Sequence, residues 1–275
     1  YHQTAIYWKL NKLCTHFIPN ELLSRKEFRI FAKDFLVFAD AYLERIDNRL
    51  GKCITLRRSP AMQTRRMNKT DTYCYIDAGN KKHEFARNAV FHLKEPDINQ
   101  EYYGMPPYIA SLSSAWLDAD ATMFRRAYIN NGSHAGYILM VTDATIEQND
   151  VVKLREAFRD GKGPNSFTNY MMYNPGGTSE GIHVIPVAQA QAQDEFFNIK
   201  RCTMKDQLAA HRLPPQSMGI IPENSGGFGD AKSADELAYR NEVMPLETQM
   251  KELNDWLGID VMEFDEYKPV GNTRK

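Results

Sequence analysis

The glycine-rich segment 225–230, with the sequence SGGFGD, is the part of this chain whose residue types best match phosphate chemistry. Glycine lets backbone N–H groups approach a phosphate. A nucleotide-binding loop combines G-x-x-x-x-G-K-S/T or G-x-G-x-x-G with a strand before it and a helix after it. The chain contains neither pattern, and segment 225–230 follows an irregular, proline-containing stretch. The glycines offer a wide range of φ instead, so the sequence predicts a mobile loop.

The remaining reactive side chains form no pattern of a known catalytic site. There is no G-x-S-x-G nucleophile motif and no H-E-x-x-H zinc motif, and the 7 histidines are scattered. His92 and His183 lie within strand-like runs, where a hydrogen-bonded structural histidine is the ordinary interpretation. The sequence therefore predicts no catalytic residue, no cofactor and no metal ligand.

The 4 cysteines lack the spacing of zinc ligands and are expected to be free thiols in a reducing compartment. They are Cys14, Cys53, Cys74 and Cys202.

A basic block between positions 52 and 69 contains no acidic residue. It is either a solvated strand and loop surface, or a patch for nucleic acid or for an acidic face of another subunit. Its members are Lys52, Arg57, Arg58, Arg65, Arg66 and Lys69.

The helices and strands that must position these residues are predicted from the spacing of apolar residues and from the residues that end helices and strands. Segment 24–47 carries an aromatic stripe at helical spacing and begins with the capping-box pair Ser24 and Glu27, so it predicts one helix. Three β-prone runs follow at 52–60, 71–78 and 89–97. A second helix, rich in small residues that let helices approach closely, is predicted over 107–130.

The second half alternates between a small α/β module and helices. Segment 135–189 predicts strand, helix, strand and strand, with the last two strands joined by a hairpin-like turn at 175–181. Helices are predicted over 194–211 and 232–257, and Pro245 should bend or interrupt the second of them. A strand-like run follows at 261–267.

Composition places the chain among ordinary globular proteins. It has 275 residues, 43% of them hydrophobic and 25% charged, with a net charge of −1. No apolar run approaches the roughly 18 residues that span a bilayer, so no membrane role is predicted. The chain starts at Tyr1 without an initiator Met, so we expect a fragment that lacks its natural N-terminus.

Five separated blocks closely resemble the portal proteins of contractile-tailed temperate phages, the PBSX-type portal family. They follow one another in the family's order from about residue 6 to residue 264, which is nearly the whole chain. The blocks are FHLKEPDINQEYYGMPPYIASLSSAWL, MFRRAYINNGSHAGYI, DEFFNIKR, AAHRLPPQSMGIIPENSGGFGD and RNEVMPLETQMKELNDWLG.

This resemblance implies an α+β portal-protein fold, with an α/β wing, long stem helices, an inserted small α/β clip, a tunnel loop and a kinked tunnel helix. The implied segments are a truncated N-terminal wing at 1–106, the first stem helix at 107–134, the clip at 135–189, the second stem helix at 190–212, the tunnel loop at 213–231, the tunnel helix at 232–257, and a wing return and tail at 258–275.

The resemblance also implies a function without enzymatic activity. A homo-oligomeric ring of about twelve subunits would stand at one vertex of the capsid, and double-stranded DNA would pass through it during packaging and ejection. The ATPase would be the separate terminase large subunit, which docks on the ring. The other implied partners are the scaffold or major capsid protein and a head-completion or connector protein. The implied locations are the virion and, during assembly, the cytoplasm of a bacterial host.

Site residues follow from the resemblance by position in this sequence. The tunnel helix kink is assigned to Pro245. The residues expected to face DNA are Asn224, Ser225, Gly226, Gly227, Phe228, Gly229, Asp230 and Lys232. The loop anchor, defined here as Leu213, Pro214, Pro215, Met218, Ile220 and Ile221, should hold the loop at its base.

Two other functions stay open at this point. The first is a sequence-independent DNA-binding module that uses the basic block at 52–69, which predicts tight duplex binding with a steep salt dependence. The second is nucleotide hydrolysis at the glycine-rich segment.

Overall fold

The chain forms two compact units, and the first of them is discontinuous in sequence. Unit 1 comprises Tyr1–Leu112 and Asp206–Lys275, and unit 2 comprises Ser113–Lys205. In this computed structural model the described residues are 1–130, 137–141, 149–150, 152–153, 156, 170–173, 182–186, 192–220 and 231–268.

Two helices begin unit 1 and provide much of its core. Helix α1 spans His2–His16 and helix α2 spans Arg25–Phe38. Phe17, just after α1, stacks on Phe28 of α2 with ring centroids 3.9 Å apart. Both rings are fully buried, so the two helices are held together by apolar contact.

The start of α2 confirms the Ser24 half of the predicted capping box, whereas the Glu27 carboxylate accepts from the Arg58 N–H, and the end of the helix does not follow the prediction. The Ser24 hydroxyl accepts a hydrogen bond from the Glu27 backbone N–H. The helix stops at Phe38, because Ala39 takes a left-handed conformation with φ 60° and the chain continues as strand β1, Asp40–Asp47. The prediction of one helix over 24–47 is therefore wrong over its last third.

Strand β1 is the central strand of the main sheet of unit 1. It pairs antiparallel with β2, Cys53–Ser59, on one side and with β6, Val90–Lys94, on the other. Because both of its edges are hydrogen-bonded, pairing outweighs the helical periodicity of its sequence.

A second sheet of unit 1 packs a smaller cluster that includes Tyr42 and Tyr73. Its strand order is β3-β4-β5, with β3 at Thr64–Arg66, β4 at Tyr73–Ile76 and β5 at Lys82–Glu84. The predicted strands over 52–60, 71–78 and 89–97 are confirmed as β2, β4 and β6, whereas β3 and β5 were not predicted.

Helix α3 spans Leu112–Asn130 and is preceded by a 3-10 turn at Pro107–Ser111. The predicted helix over 107–130 therefore starts with tighter winding. Helix α4 spans Ala192–Ala210 and matches the helix predicted over 194–211.

The sheet of unit 2 corrects the predicted hairpin. Strand β7 is Tyr137–Val141, β8 is Tyr170–Tyr173 and β9 is Ile182–Pro186. Strand β7 is central, pairing parallel with β8 and antiparallel with β9. The last two strands are thus not paired with each other, because each one hydrogen-bonds to an opposite edge of β7.

The helical region after position 231 is divided. Helix α5 spans Ala231–Ala238, a π-helical turn spans Tyr239–Val243, and helices α6 and α7 span Met244–Met250 and Glu252–Leu257. The strand expected at 261–267 is wrong, since the pairing assigned there is an isolated bridge between Phe264 and Phe17.

Candidate functional site

The chain enters the glycine-rich loop from the C-terminal end of α4, where two backbone hydrogen bonds close the helix. The Leu213 N–H donates to the Leu208 carbonyl at 3.0 Å, and the Arg212 N–H donates to the Ala209 carbonyl at 2.9 Å. This is the Schellman arrangement, and Arg212 occupies its left-handed position with φ 54°. Glycine is the usual residue there, because other residues pay a backbone cost in this conformation.

The loop anchor continues from this cap and is held by apolar contact. Leu213 is 4% exposed and lies in a cluster with Ala5 of α1 and Ala238 of α5, against which Met218 packs. Pro215–Met218 form a 3-10 turn that ends at Gly219, whose φ is 74°. The base of the loop is therefore fixed to two helices that lie far apart in sequence.

The structure places the predicted anchor residues at different depths. Leu213 is buried, and Pro214, Pro215, Met218 and Ile220 are half-buried. Lys232 is exposed in the first turn of α5. The remaining predicted loop residues lie outside the described residues: Ile221, Asn224, Ser225, Gly226, Gly227, Phe228, Gly229 and Asp230.

A buried carboxylate connects the loop base to two other elements. Glu242, in the π turn, accepts from Lys9 of α1 and from Arg212, each at 2.6 Å and each on its own carboxylate oxygen. The Glu242 side chain is 3% exposed and that of Lys9 is 10% exposed. Burial lowers the pKa of Lys9, and the Glu242 carboxylate opposes this effect.

A second cluster connects the end of α4 to the start of α1. Nδ1 of His2 and Nε2 of His211 are 2.9 Å apart, and the Tyr108 ring packs against both imidazoles. Gln207 accepts a hydrogen bond from the His2 backbone N–H at 2.9 Å. Burial lowers the pKa of His211 to about 3, and the positive charges of Lys9 and His2 act in the same direction. His211 is therefore a neutral structural residue at neutral pH.

The π turn lies directly before Pro245, which occupies the first turn of α6. Pro245 has no N–H to donate, and early helix positions tolerate this. The Tyr239 hydroxyl donates to Glu247 at 2.7 Å across the turn. Burial raises the pKa of the Glu247 carboxyl. Continuous α-helical hydrogen bonding is therefore interrupted next to Pro245.

The basic block is divided between two sheets, since β2 and β3 belong to different ones. Arg58 forms two hydrogen bonds to Asp34, at 2.7 and 2.8 Å, so its charge is already paired. Arg57 lies opposite Glu44 in the register of β1 and β2. Arg65 and Arg66 lie in β3, and Lys52 and Lys69 are exposed in turns.

The structure also describes several of the histidine and cysteine positions discussed from the sequence. His92 is a hydrogen-bonded structural residue, with Nε2 2.7 Å from the Asp40 carboxylate. The 4 cysteines are free thiols. Within the described ranges, no group of three metal-ligating side chains is found. The His183 side chain lies outside the described part of the chain.

The described helices include none with the length and apolar character to cross a membrane.

Sequence reasoning missed the charged residues that hold the loop base. Lys9 and Glu242 are 233 positions apart, and neither lies in a motif. The unusual left-handed Arg212 has no sequence signal, because a glycine at the same position would have been the expected helix end.

A family model described as "Phage portal protein" matches residues 10–270. The chain is 46% identical over 267 residues to the probable portal protein of Escherichia phage P2, covering 97% of this chain and 78% of that protein. It is 31% identical over 252 residues to the probable portal protein of Haemophilus phage HP1 (strain HP1c1), covering 90% of this chain and 73% of that protein.

Solved structures of similar fold come from a gene transfer agent particle and from a phage portal protein. One is the neck of a native gene transfer agent particle computed with C12 symmetry, with a TM-score of 0.66, 18% identity, and coverage of 98% of this chain and 79% of that chain. Another is a HK97 family phage portal protein from Corynebacterium diphtheriae, with a TM-score of 0.63, 13% identity, and coverage of 96% and 92%. These likenesses support the predicted α+β fold, while the PBSX-type subfamily stays a prediction.

Proposed function

This chain belongs to the phage portal protein family, and on that premise we propose that it forms the ring-shaped channel at a unique capsid vertex. Double-stranded DNA passes through this channel during packaging and ejection. The chain itself carries out no reaction in this role, and the motor is a separate terminase large subunit docked on the ring.

The observation that carries the proposal is the way the base of the glycine-rich loop is held. Arg212 and Leu213 fix its start, and the loop returns into α5, whose Ala238 packs on Leu213. A loop with a fixed base and a glycine-rich tip can shift at its tip while the surrounding fold stays in place. This property suits a segment that borders a moving polymer.

The segment assignments are part of the proposal. We assign the wing to 1–106 and its return to 258–275. The stem helices are 107–134 and 190–212, with the clip between them at 135–189. The tunnel loop is 213–231 and the tunnel helix is 232–257. The DNA-facing segment is 224–230 together with Lys232. Pro245 and the π turn before it form the break in the tunnel helix.

We place the assembled ring in the virion, and in the cytoplasm of the bacterial host during assembly. Its partners are the terminase large subunit, the scaffold or major capsid protein, and a head-completion or connector protein. A ring of about twelve copies is the expected assembly, and the C12 symmetry of the similar neck structure supports that number. Head-to-tail contacts close into a ring when the rotation between neighbours divides a full turn.

The experiment has two parts. Native mass spectrometry and electron microscopy of the protein should give a closed ring of about twelve subunits. A variant with both Gly226→Pro and Gly227→Pro should form the same ring but package little DNA in a complementation assay, because proline removes the φ range of the loop tip.

The matched control is Gly79→Pro, at an exposed turn glycine of unit 1 whose φ is not positive and whose N–H donates to the Asp77 side chain. It should package DNA normally wherever its ring forms. A stable monomer under all assembly conditions would argue against the channel. Normal packaging by the Gly226 and Gly227 variant would remove the tunnel loop assignment and leave the channel untouched.

The nucleotide-hydrolysis alternative has a simple test. A phosphate-release assay on the purified protein should show no turnover above buffer, and turnover that is lost with Gly226→Pro and Gly227→Pro would support a catalytic loop.

A further inference from the structure

An open groove in unit 1 lies between the turn after β3 and the segment that follows β6. It has a volume of about 620 Å³ and combines cationic, aromatic and amide side chains. We call it the Arg66 groove. Its principal lining side chains are Arg66, Lys69, Gln100, Glu101, Tyr102 and Tyr103.

Hydrogen bonds hold both walls of the groove in place. The Met67 N–H donates to the Thr72 carbonyl at 2.9 Å, and the Thr72 hydroxyl donates to the Lys69 carbonyl at 2.6 Å, which closes the turn on one side. The Arg66 N–H donates to the Tyr103 hydroxyl at 3.3 Å and so connects the two walls. A partner would therefore meet a largely formed surface, which reduces the entropy lost on binding.

The cations of the groove are available for an incoming anion. The Arg66 guanidinium lies over the Tyr102 ring, 5.7 Å from its centroid, and Tyr102 is 64% exposed. Among the described residues, neither Arg66 nor Lys69 forms an ion pair. A guanidinium stacked on an aromatic ring keeps its N–H edge free to bind a carboxylate with two parallel hydrogen bonds.

We propose that the Arg66 groove binds an acidic, extended segment of another protein. Carboxylates of that segment pair with Arg66 and Lys69, and one of its apolar or aromatic side chains packs on the exposed face of Tyr102. The groove lies at β3, an edge strand of its sheet. The N–H groups of Thr64 and Arg66 on this edge already donate to Pro60 and Tyr103, so the segment is bound through side-chain contacts and not by strand pairing.

A nucleic acid fits the groove less well than an acidic peptide does. Only two cations line it, and Glu101 lines it as well. Arg58 is not available, because it is paired with Asp34. Two phosphate contacts give a salt slope of only about 2, far below that of proteins that hold duplex DNA tightly. Arg66 and Lys69 are, by contrast, enough for a short peptide that presents a few carboxylates.

The test measures fluorescence anisotropy with the labelled peptide GEDWEDG, its neutral counterpart GQNWQNG and a 30-bp DNA duplex. The acidic peptide should bind, and Arg66→Ala combined with Lys69→Ala should weaken it at least about tenfold, since each charge-assisted contact contributes a substantial part of the affinity. Tyr102→Ala should weaken it by about threefold.

The matched control is Lys52→Ala combined with Arg57→Ala, which removes two exposed cations from the other sheet. It should leave peptide binding within about twofold of the parent protein. Lys69→Glu, at an exposed turn position, repeats the test without touching a strand. Circular dichroism identifies any variant that fails to fold.

The proposal is overturned if both double variants weaken binding equally, if the neutral peptide binds as tightly, or if the duplex binds more tightly than the acidic peptide. It does not depend on ring formation. Electron microscopy of the same samples therefore separates failure of the groove from failure of the channel.

Discussion

At the scale of single residues, buried carboxylates connect distant parts of unit 1. Asp34 binds Arg58, and Asp40 accepts from both His92 and the Gly104 N–H. Glu242 similarly receives Lys9. A buried carboxylate has to be compensated by donors, so each of these residues fixes the position of every segment that supplies a donor.

Glu242→Gln should destabilise the protein by about 3 kcal/mol, because it leaves the Lys9 ammonium buried without a carboxylate. The free energy of unfolding is measured by urea titration followed by circular dichroism. Glu236→Gln is the control, since Glu236 pairs with Arg240 on a partly exposed helix face, and it should cost less than about 0.5 kcal/mol. Equal losses for the two variants would contradict the assigned role of Glu242.

His211 should make stability depend on pH in a defined direction. Its pKa is about 3 in the folded protein against 6.5 as the ordinary value. As the pH falls below 6.5, His211 is protonated in the unfolded chain before it is protonated in the folded protein. The free energy of unfolding is therefore highest above pH 6.5 and decreases as the pH falls towards 3. The parent protein should lose on the order of 1 kcal/mol more than His211→Gln between pH 7 and pH 5. Parallel melting-temperature profiles for the two proteins would contradict this.

At the scale of elements, the junction between α2 and β1 depends on a close approach of two backbones. A Cβ at Gly104 would lie 2.0 Å from the Ala39 carbonyl oxygen, which itself accepts from the Glu95 N–H. The left-handed Ala39 and the missing side chain at Gly104 therefore allow the helix to turn directly into the strand.

Gly104→Ala should cost about 3 kcal/mol, because backbone atoms on both sides have to move. Gly79→Ala is the control. Its Cβ would meet only the half-buried Asp77 carboxylate, a side-chain atom, at 3.3 Å, and its cost should be below about 1 kcal/mol. Thermal unfolding measures both, and a small loss for Gly104→Ala would mean that the two backbones separate easily.

The same junction explains which elements could be predicted from sequence. Local signals were sufficient for the Ser24 cap, for β2, β4 and β6, and for α4, because caps, turn residues and periodicity act within a few positions. Strand β1 was missed because the helical spacing of α2 continues into its sequence, while its pairing with β2 and β6 is not visible within one segment. The pairing of β8 and β9 with opposite edges of β7 was missed for the same reason. Within the candidate site, the anchor residue Leu213 could be predicted from its apolar character, whereas the ion pairs of Glu242 could not.

At the scale of the whole molecule, the low net charge favours a protein that surrounds DNA without binding it tightly. The net charge is −1, and segment 230–255 carries seven acidic residues against three basic ones. Phosphate contacts from Lys and Arg supply most non-specific DNA affinity, so a nearly neutral chain lets a polymer move past it.

The protein should bind a 30-bp duplex with a Kd weaker than about 1 μM at physiological salt, with a shallow salt dependence. The Kd and its salt dependence should change little in the triple variant Arg57→Ala, Arg65→Ala and Arg66→Ala. Arg58 is left intact, because its removal would leave the buried Asp34 carboxylate without its ion-pair partner. Gel-shift titration over a range of salt concentrations measures both quantities, and tight binding that the triple variant abolishes would favour the DNA-binding alternative.

The π turn at Tyr239–Val243 has a consequence for how this sequence tolerates insertions and deletions. A π-helical turn accommodates one residue more than the corresponding α-helical turn. Deleting Asn241 would therefore restore continuous α-helical winding and leave α5 nearly in phase with α6. Deleting Leu237 from the regular part of α5 would instead rotate the residues before it by about 100°. Asp235 would then lose Lys12, which it binds at 2.7 Å, and the Tyr267 hydroxyl, which lies at 2.9 Å. A change of length should thus be tolerated better in the π turn than in α5, where it would misalign one end of the glycine-rich loop with the other.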